Sequence, residues 1–262
     1  MNHQQFLKRS LFFVFSLIIF ISCSSSEDVN KEDVDDTLLP IPSTNYDTTP
    51  ILIFFDNIEA VSYSVSGNTV TFTTTDLPNH TSPYWNSSHP LYEAYNGTNS
   101  NWNKNPNSIG EQNITFTMPL NPSESSIKTA TPLGPIGIAR NGVVFFNQYA
   151  GPNNQPLTNE IDSFDQWLGH PAGTQYHYHI EPSFLTNNFG KNAFLGLLSD
   201  GFPVYGPEEN GSTIISSNLD DYHGHTHETA DFPDGMYHYH VTADAPYLNG
   251  NGFFGTAGTI TR

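Results

Sequence analysis

Polar and apolar residues alternate from Val61 to Thr75 around Ser66-Gly67-Asn68. A period of two belongs to a half-buried strand, and the Gly-Asn break belongs to a hairpin turn. The same reading predicts strands over 113–118, over 136–146 folded about Arg140-Asn141-Gly142, and over 174–180, 193–198, 201–205 and 235–242. Twenty glycines and nineteen prolines punctuate the chain at short intervals. No window keeps a 3.6-residue apolar period for a useful length, so one short helix is expected, around Glu160 to Leu168. The fold class predicted is all-β, a mostly antiparallel sandwich or barrel-like domain with long loops and at most one or two short helices.

The first residues follow a different pattern. Lys8 and Arg9 precede an apolar run from Leu11 to Ile21, which is shorter than the roughly 20 residues needed to span a bilayer. Phe20-Ile21-Ser22-Cys23 resembles a bacterial lipobox, and Cys23 is the chain's only cysteine. Residues 1–22 therefore read as a lipoprotein signal peptide with lipidation at Cys23, the alternative being an ordinary secretory signal and a stray thiol. Residues 23–50 hold Glu27, Asp28, Glu32, Asp33, Asp35 and Asp36 against Lys31 alone, an acidic tether expected to be disordered. An acidic stretch behind a lipid cysteine resembles the surface-export signal of Bacteroidetes lipoproteins. The expected address is the cell envelope, lipid-anchored to the outer membrane.

Residues 51–262 remain for one domain. The formal charge of the whole chain is −18. Loss of residues 1–22 removes Lys8 and Arg9 and leaves 6 basic against 26 acidic side chains, so the charge becomes −20. Such a surface repels phosphate and excludes nucleic acid as a partner; cations are the natural guests.

The candidate chemistry lies in a duplication. Tyr-His-Tyr-His occurs at Tyr176-His177-Tyr178-His179 and at Tyr237-His238-Tyr239-His240. Ahead of each copy stands Asp, any, aromatic, any, Gly, His, ending at His170 and at His225. The repeated units run over about 162–182 and 218–242, and eight of the eleven histidines lie between His170 and His240. Residues i and i+2 of a strand share a face, so His177 and His179 project together, as do His238 and His240. With His170 or His225 as third ligand, each copy can bind a transition metal, and imidazoles without thiolate point to copper or zinc. Either each copy holds its own ion or the two share one. Asp165, Asp220 and the tyrosines Tyr176, Tyr178, Tyr237 and Tyr239 are expected to orient the rings. A Tyr/His ladder can also be a polar-tipped core face, but two copies, each with its Gly-His, favour ligands. His80 and His89 read as surface residues, His223 and His227 as solvent-exposed or auxiliary, and Asp200 as a turn-former before Gly201.

These motifs resemble the YHYH-domain family of secreted and lipid-anchored proteins. The resemblance extends to Gly137-Ile138-Ala139-Arg140-Asn141-Gly142-Val143, to Ser199-Asp200-Gly201-Phe202-Pro203-Val204-Tyr205-Gly206-Pro207 and to Ala245-Pro246-Tyr247. It implies fold and address but no activity, and nothing in the chain names a catalytic residue or a protein partner. No nucleophile elbow, phosphate loop or dinucleotide fingerprint is present. Beside metal binding stand two alternatives: a metal-dependent enzyme of unknown substrate, and a surface-binding module whose aromatics contact glycan or protein.

Overall fold

The computed structural model describes residues 46–262. The expected signal peptide, Cys23 and most of the expected tether lie outside them. The last residues of that tether belong to the folded unit: Thr48 donates its backbone N–H and its hydroxyl to the Leu120 carbonyl at 2.9 and 3.0 Å. A 3₁₀ segment at Thr49–Phe55 then buries Ile51, Leu52 and Phe55. Three bulky apolar residues at its spacing outweigh the polar composition ahead of them.

Two larger sheets, of four and eight strands, and three two-stranded ladders form the described domain. The smaller contains β1 (Val61–Ser66), β2 (Thr69–Thr74), β3 (Ile114–Pro119) and, at the far edge, the last strand of the chain, Thr259–Thr261. β2 and β3 alternate buried and half-exposed side chains, as the period of two requires. Two edge segments follow, β4 (Glu124–Thr129) and, after β5 (Pro135–Ala139) and β6 (Val144–Phe146), the short ladder of β7 (Tyr149–Gly151) and β8 (Gln155–Pro156).

The larger sheet continues with β9 (Gly169–Ala172), β10 (Gln175–Tyr178), β11 (Phe194–Leu198) and β12 (Pro203–Tyr205). A small hairpin of β13 (Glu208–Glu209) and β14 (Ser212–Thr213) intervenes before β15 (Gly224–His227) and β16 (Met236–His240). Phe253–Gly255 is β17, which pairs with β4, and Thr259–Thr261 is β18. The larger sheet has the order β15-β16-β12-β11-β5-β6-β10-β9. Its ladders are antiparallel except for two, β6 with β10 and β12 with β16, which are parallel.

That order reads the same from both edges. The central ladder pairs β11 with β5 antiparallel, with Leu197 opposite Ile138. On either side follow an antiparallel neighbour, a parallel neighbour and an antiparallel edge hairpin. The duplication therefore extends beyond the His motifs to the strands before them: the hairpin at Asn141-Gly142 matches the one at Asp200-Gly201, with φ of +89° and +86° at the two glycines.

One face of the large sheet sends Ile138, Val144 and Leu197 from its central strands into a core with Val70, Phe72, Phe116 and Met118 of the small sheet. The other face sends Phe145, Tyr176, Tyr178, Leu195, Val204, Tyr237 and Tyr239 into a second core with Tyr84, Leu185 and Phe202. No barrel closes, because the large sheet ends in two edge hairpins. The one α-helix among the described residues, α1 (Ser183–Phe189), lies beyond the segment read as helical. Over that segment there is only a 3₁₀ turn, Ile161–Ser163, since Asp165 onward is committed to a turn that enters β9.

Candidate metal centre

The repeated motif folds identically in both copies, and each of its letters has a reason. The Asp165 backbone N–H donates to the Gly169 carbonyl, and the Asp220 N–H to that of Gly224, closing a tight loop. The residue before each glycine, Leu168 or His223, takes a left-handed backbone with φ of +65° or +73°. Glycine follows because the Tyr176 or Tyr237 hydroxyl lies over it: a Cβ at Gly169 would stand 2.5 Å from Tyr176 Oη, and one at Gly224 2.4 Å from Tyr237 Oη. Each hydroxyl donates to the motif's aspartate, Tyr176 to Asp165 at 2.9 Å and Tyr237 to Asp220 at 3.1 Å.

The aspartates and tyrosines therefore do not orient the imidazoles, as the sequence had led us to expect. Alternation along β10 and β16 sends Tyr176, Tyr178, Tyr237 and Tyr239 to the opposite face from the histidines. Tyr178 meets Asn141 and His80 there, and Tyr239 donates to Asp200 at 2.7 Å. Asp200 is thus a buried acceptor as well as a turn residue. Burial holds the carboxyls of Asp165 and Asp200 up to about 6, against the hydrogen bonds that stabilise their charge.

On the histidine face, His170 lies directly opposite His177 across the β9–β10 ladder, and His225 opposite His238 across β15–β16. Facing positions on an antiparallel pair share a side and nearly touch, and the i+2 residue, His179 or His240, completes a triangle. In the first group Nε2 of His177 lies 3.1 Å from that of His170 and 3.0 Å from that of His179. In the second the three Nε2 separations are 3.1, 3.2 and 3.1 Å. Three nitrogens ~2.0–2.1 Å from one ion stand ~2.9 Å apart at octahedral angles and ~3.3 Å apart at tetrahedral ones. The observed spacings fall between.

The other ring nitrogens settle the tautomers. Nδ1 of His177 faces the Gln175 carbonyl at 3.0 Å and Nδ1 of His238 the Met236 carbonyl at 2.8 Å. Nδ1 of His179 faces the Asn147 carbonyl at 2.5 Å, and Nδ1 of His240 that of Gly206 at 2.7 Å. Nδ1 of His170 lies 2.7 Å from Ser163 Oγ, whose own hydrogen goes to the Glu160 carbonyl. Carbonyls only accept, so the Nδ1 atoms of His177, His179, His238 and His240 carry the hydrogen; Nδ1 of His170 also faces the Asn105 amide nitrogen at 3.4 Å. Burial keeps the rings neutral: it holds His170 and His238 down at about 3 and His179 and His240 at about 4, with His177 also well below its ordinary value. A neutral ring with Nδ1 protonated presents a bare lone pair at Nε2. At least two such lone pairs converge in each group, those of His177 and His179 and those of His238 and His240, with no ring N–H between the two rings of a pair to bridge them.

Of two carboxylates that the sequence reading missed, one joins a group and the other stands beside one. Glu209, from β13, places Oε1 3.2 Å from His238 Nε2 and Oε2 3.5 Å from His225 Nε2. Glu209, His225, His238 and His240 form one set of ligand atoms mutually within 4.8 Å, and His170, His177 and His179 form another. Glu160 stands 3.4 Å from His170 Nε2; its Oε2 has no hydrogen-bond partner among the described residues, and burial pushes its carboxyl up to about 7. No local signal marks either glutamate. Glu209 reaches its place through the parallel β12–β16 ladder, across 29 residues of chain.

The remaining histidines divide. His227 is 45 % exposed, with Nδ1 3.3 Å from Glu209 Oε2. His223, expected outside, is buried, with Nε2 2.9 Å from Thr242 Oγ1. His80, expected on the surface, is buried among Trp167, Tyr176, Tyr178 and Phe184 and meets the Tyr178 hydroxyl at 3.0 Å. His89 stacks on Trp85 at 3.9 Å.

Neither the curated proteins nor the solved structures contain a match to this chain. The family model for "YHYH protein" matches residues 115–217 and 208–252, which span both histidine groups, the duplicated strands and more than half of the chain. The chain belongs to the YHYH protein family.

Proposed function

We propose that this protein is an extracytoplasmic, lipid-anchored metal-binding protein that holds copper or zinc at two centres, one on His170, His177 and His179 and one on His225, His238, His240 and Glu209. The observation that carries the reading is the convergence of imidazole Nε2 atoms at 3.0–3.2 Å, with the outer nitrogens of His177, His179, His238 and His240 tied to carbonyls. Without a cation, that arrangement places like ends of several dipoles together in a buried site, which is costly. With one, each lone pair has a partner, and the carbonyl on Nδ1 strengthens the ring as a donor. A core ladder would tie both nitrogens of each ring to fixed acceptors and donors, as His80 does.

Imidazole with one carboxylate suits Cu(II) and Zn(II), and affinity alone favours copper. The lipid anchor at Cys23 and the outer-membrane address rest on the lipobox-like Phe20-Ile21-Ser22-Cys23 and the acidic stretch behind it. Elemental analysis after mild purification tests the metal reading: about two equivalents of copper or zinc per chain are expected, falling to one in His177→Ala and in His238→Ala. Metal-free protein that also takes up neither Cu(II) nor Zn(II) at micromolar concentration overturns it. Radiolabelled palmitate incorporated by the parent and lost in Cys23→Ala tests the anchor.

A further inference from the structure

The two centres share their ligand register but differ in what surrounds them. β9 and β10 are joined by a two-residue turn, Gly173-Thr174, whereas β15 and β16 are joined by eight residues, 228–235. The pairing of His225 with His238 matches that of His170 with His177 despite the insertion, so the extra residues serve the surroundings of the second centre and not its ligands.

The first centre is walled in. Phe146 stacks on His177 at 3.8 Å, and Phe164 packs edge-on against His170 at 4.7 Å and parallel to His179 at 6.0 Å. All three imidazoles are 1–2 % exposed. In the second centre Tyr205 stands in the place of Phe146, 5.2 Å from His238, while Leu219 occupies the register of Phe164 and is partly exposed. His225 is 24 % exposed. A cavity of about 280 Å³ opens onto Glu209 and His240, and the inserted loop forms one of its walls. Glu208, Glu209 and Glu228 line it, with no Lys or Arg. The exposed His227 stands beside it, within reach of Glu209.

We propose that the second centre is the one through which the protein exchanges metal with its surroundings, with divalent cations drawn in by the acidic cavity and passed over His227 and Glu209, while the first centre retains its ion. The inference rests on the metal-binding function proposed above. Negative charge around a cleft raises the local concentration of cations and speeds their capture, an effect that salt screens. An exposed ligand that can swing away gives a chelator a stepwise route to the ion, whereas the ligands behind Phe146 and Phe164 release theirs only when the fold opens.

The test uses the full-length chain loaded with Zn(II) and challenged with the chromogenic chelator 4-(2-pyridylazo)resorcinol. Release in two phases of about one equivalent each, with rates at least tenfold apart, is expected. His238→Ala should remove the fast phase and His177→Ala the slow one. Two exposed variants that leave both ligand triads intact keep the test open if those substitutions impair folding. Glu228→Gln should slow Zn(II) uptake at the fast centre and flatten its dependence on ionic strength, and His227→Ala should slow the fast phase, both with stoichiometry unchanged. A protein that takes up neither Zn(II) nor Cu(II) overturns the function itself. Two equivalents that leave in a single phase, or a fast phase lost in His177→Ala, overturn this inference and leave the function standing.

Discussion

Replacing His177 by alanine separates metal from packing in a way that can be measured. In chelator, the variant loses a fully buried ring stacked on Phe146 at 3.8 Å, a large-to-small change of roughly 2–5 kcal/mol. Relief of one of the converging lone pairs offsets part of that loss. In metal, a further term appears. An ion that binds only the folded state stabilises it by about 4.1 kcal/mol per centre at a free concentration near 1,000 times its Kd. For a domain of this size that is roughly 8–16 °C in Tm for each centre. The cavity is present in the variant with and without metal, so it cancels from the metal-induced increment. The increment itself should fall by about half, because the first centre no longer closes while the second is untouched. Differential scanning calorimetry of parent and variant, each in chelator and in excess Zn(II), gives the four numbers. Equal increments in parent and variant would refute the reasoning, whatever the variant's absolute stability.

Other outcomes follow from the same geometry. The buried imidazoles bind protons in the unfolded chain near 6.5 but in the folded one only near 3 to 4, so the stability of the metal-free protein should rise with pH across about 4 to 6.5. Asp165 and Asp200, raised to about 6, act in the opposite sense between 3.8 and 6, as do Glu160, raised to about 7, and Asp76, but the lowered imidazoles, which include His80, His177 and His223, are more numerous; urea unfolding at a series of pH values checks the net slope. Asp200→Asn should cost about 1–3 kcal/mol, because the Tyr239 hydroxyl and the Gly255 N–H both donate to one carboxylate oxygen that an amide group cannot fully replace. Zinc stoichiometry, read in parallel, should not change, which separates the tyrosine face of the strands from the histidine face. Gly169→Ala should destabilise by about 1–3 kcal/mol as its Cβ meets the Tyr176 hydroxyl, itself held by Asp165; a denaturant midpoint equal to the parent's would remove our account of the Gly-His motif.

What the sequence determined by itself is local and periodic. Alternation placed β2 and β3 and their hairpin partner, and the period of two put His177 with His179 and His238 with His240 on one face. The repeated Gly-His marked the third imidazole of each group, because an edge hairpin brings residues seven positions apart in the first copy and thirteen in the second into register on neighbouring strands. Even the all-β class followed from the spacing of glycine and proline.

What lay beyond the reach of the sequence depends on long-range pairing. The parallel ladders of β6 with β10 and β12 with β16 set the Asn147 and Gly206 carbonyls against His179 and His240, and the second also brings Glu209 to its centre. The burial of His80 and His223 needed a covering layer that no local pattern announces. The tyrosines and aspartates read as partners of the histidines became a separate network, because alternation sends them to the opposite side of the same strands. The duplication was visible in the motifs, but its extension to Asn141-Gly142 and Asp200-Gly201 became plain only when the sheet order proved symmetric about β5 and β11. The asymmetry between the centres is also tertiary: a loop's length is written in the chain, but whether it covers an ion or opens a way to it is decided by what packs around it.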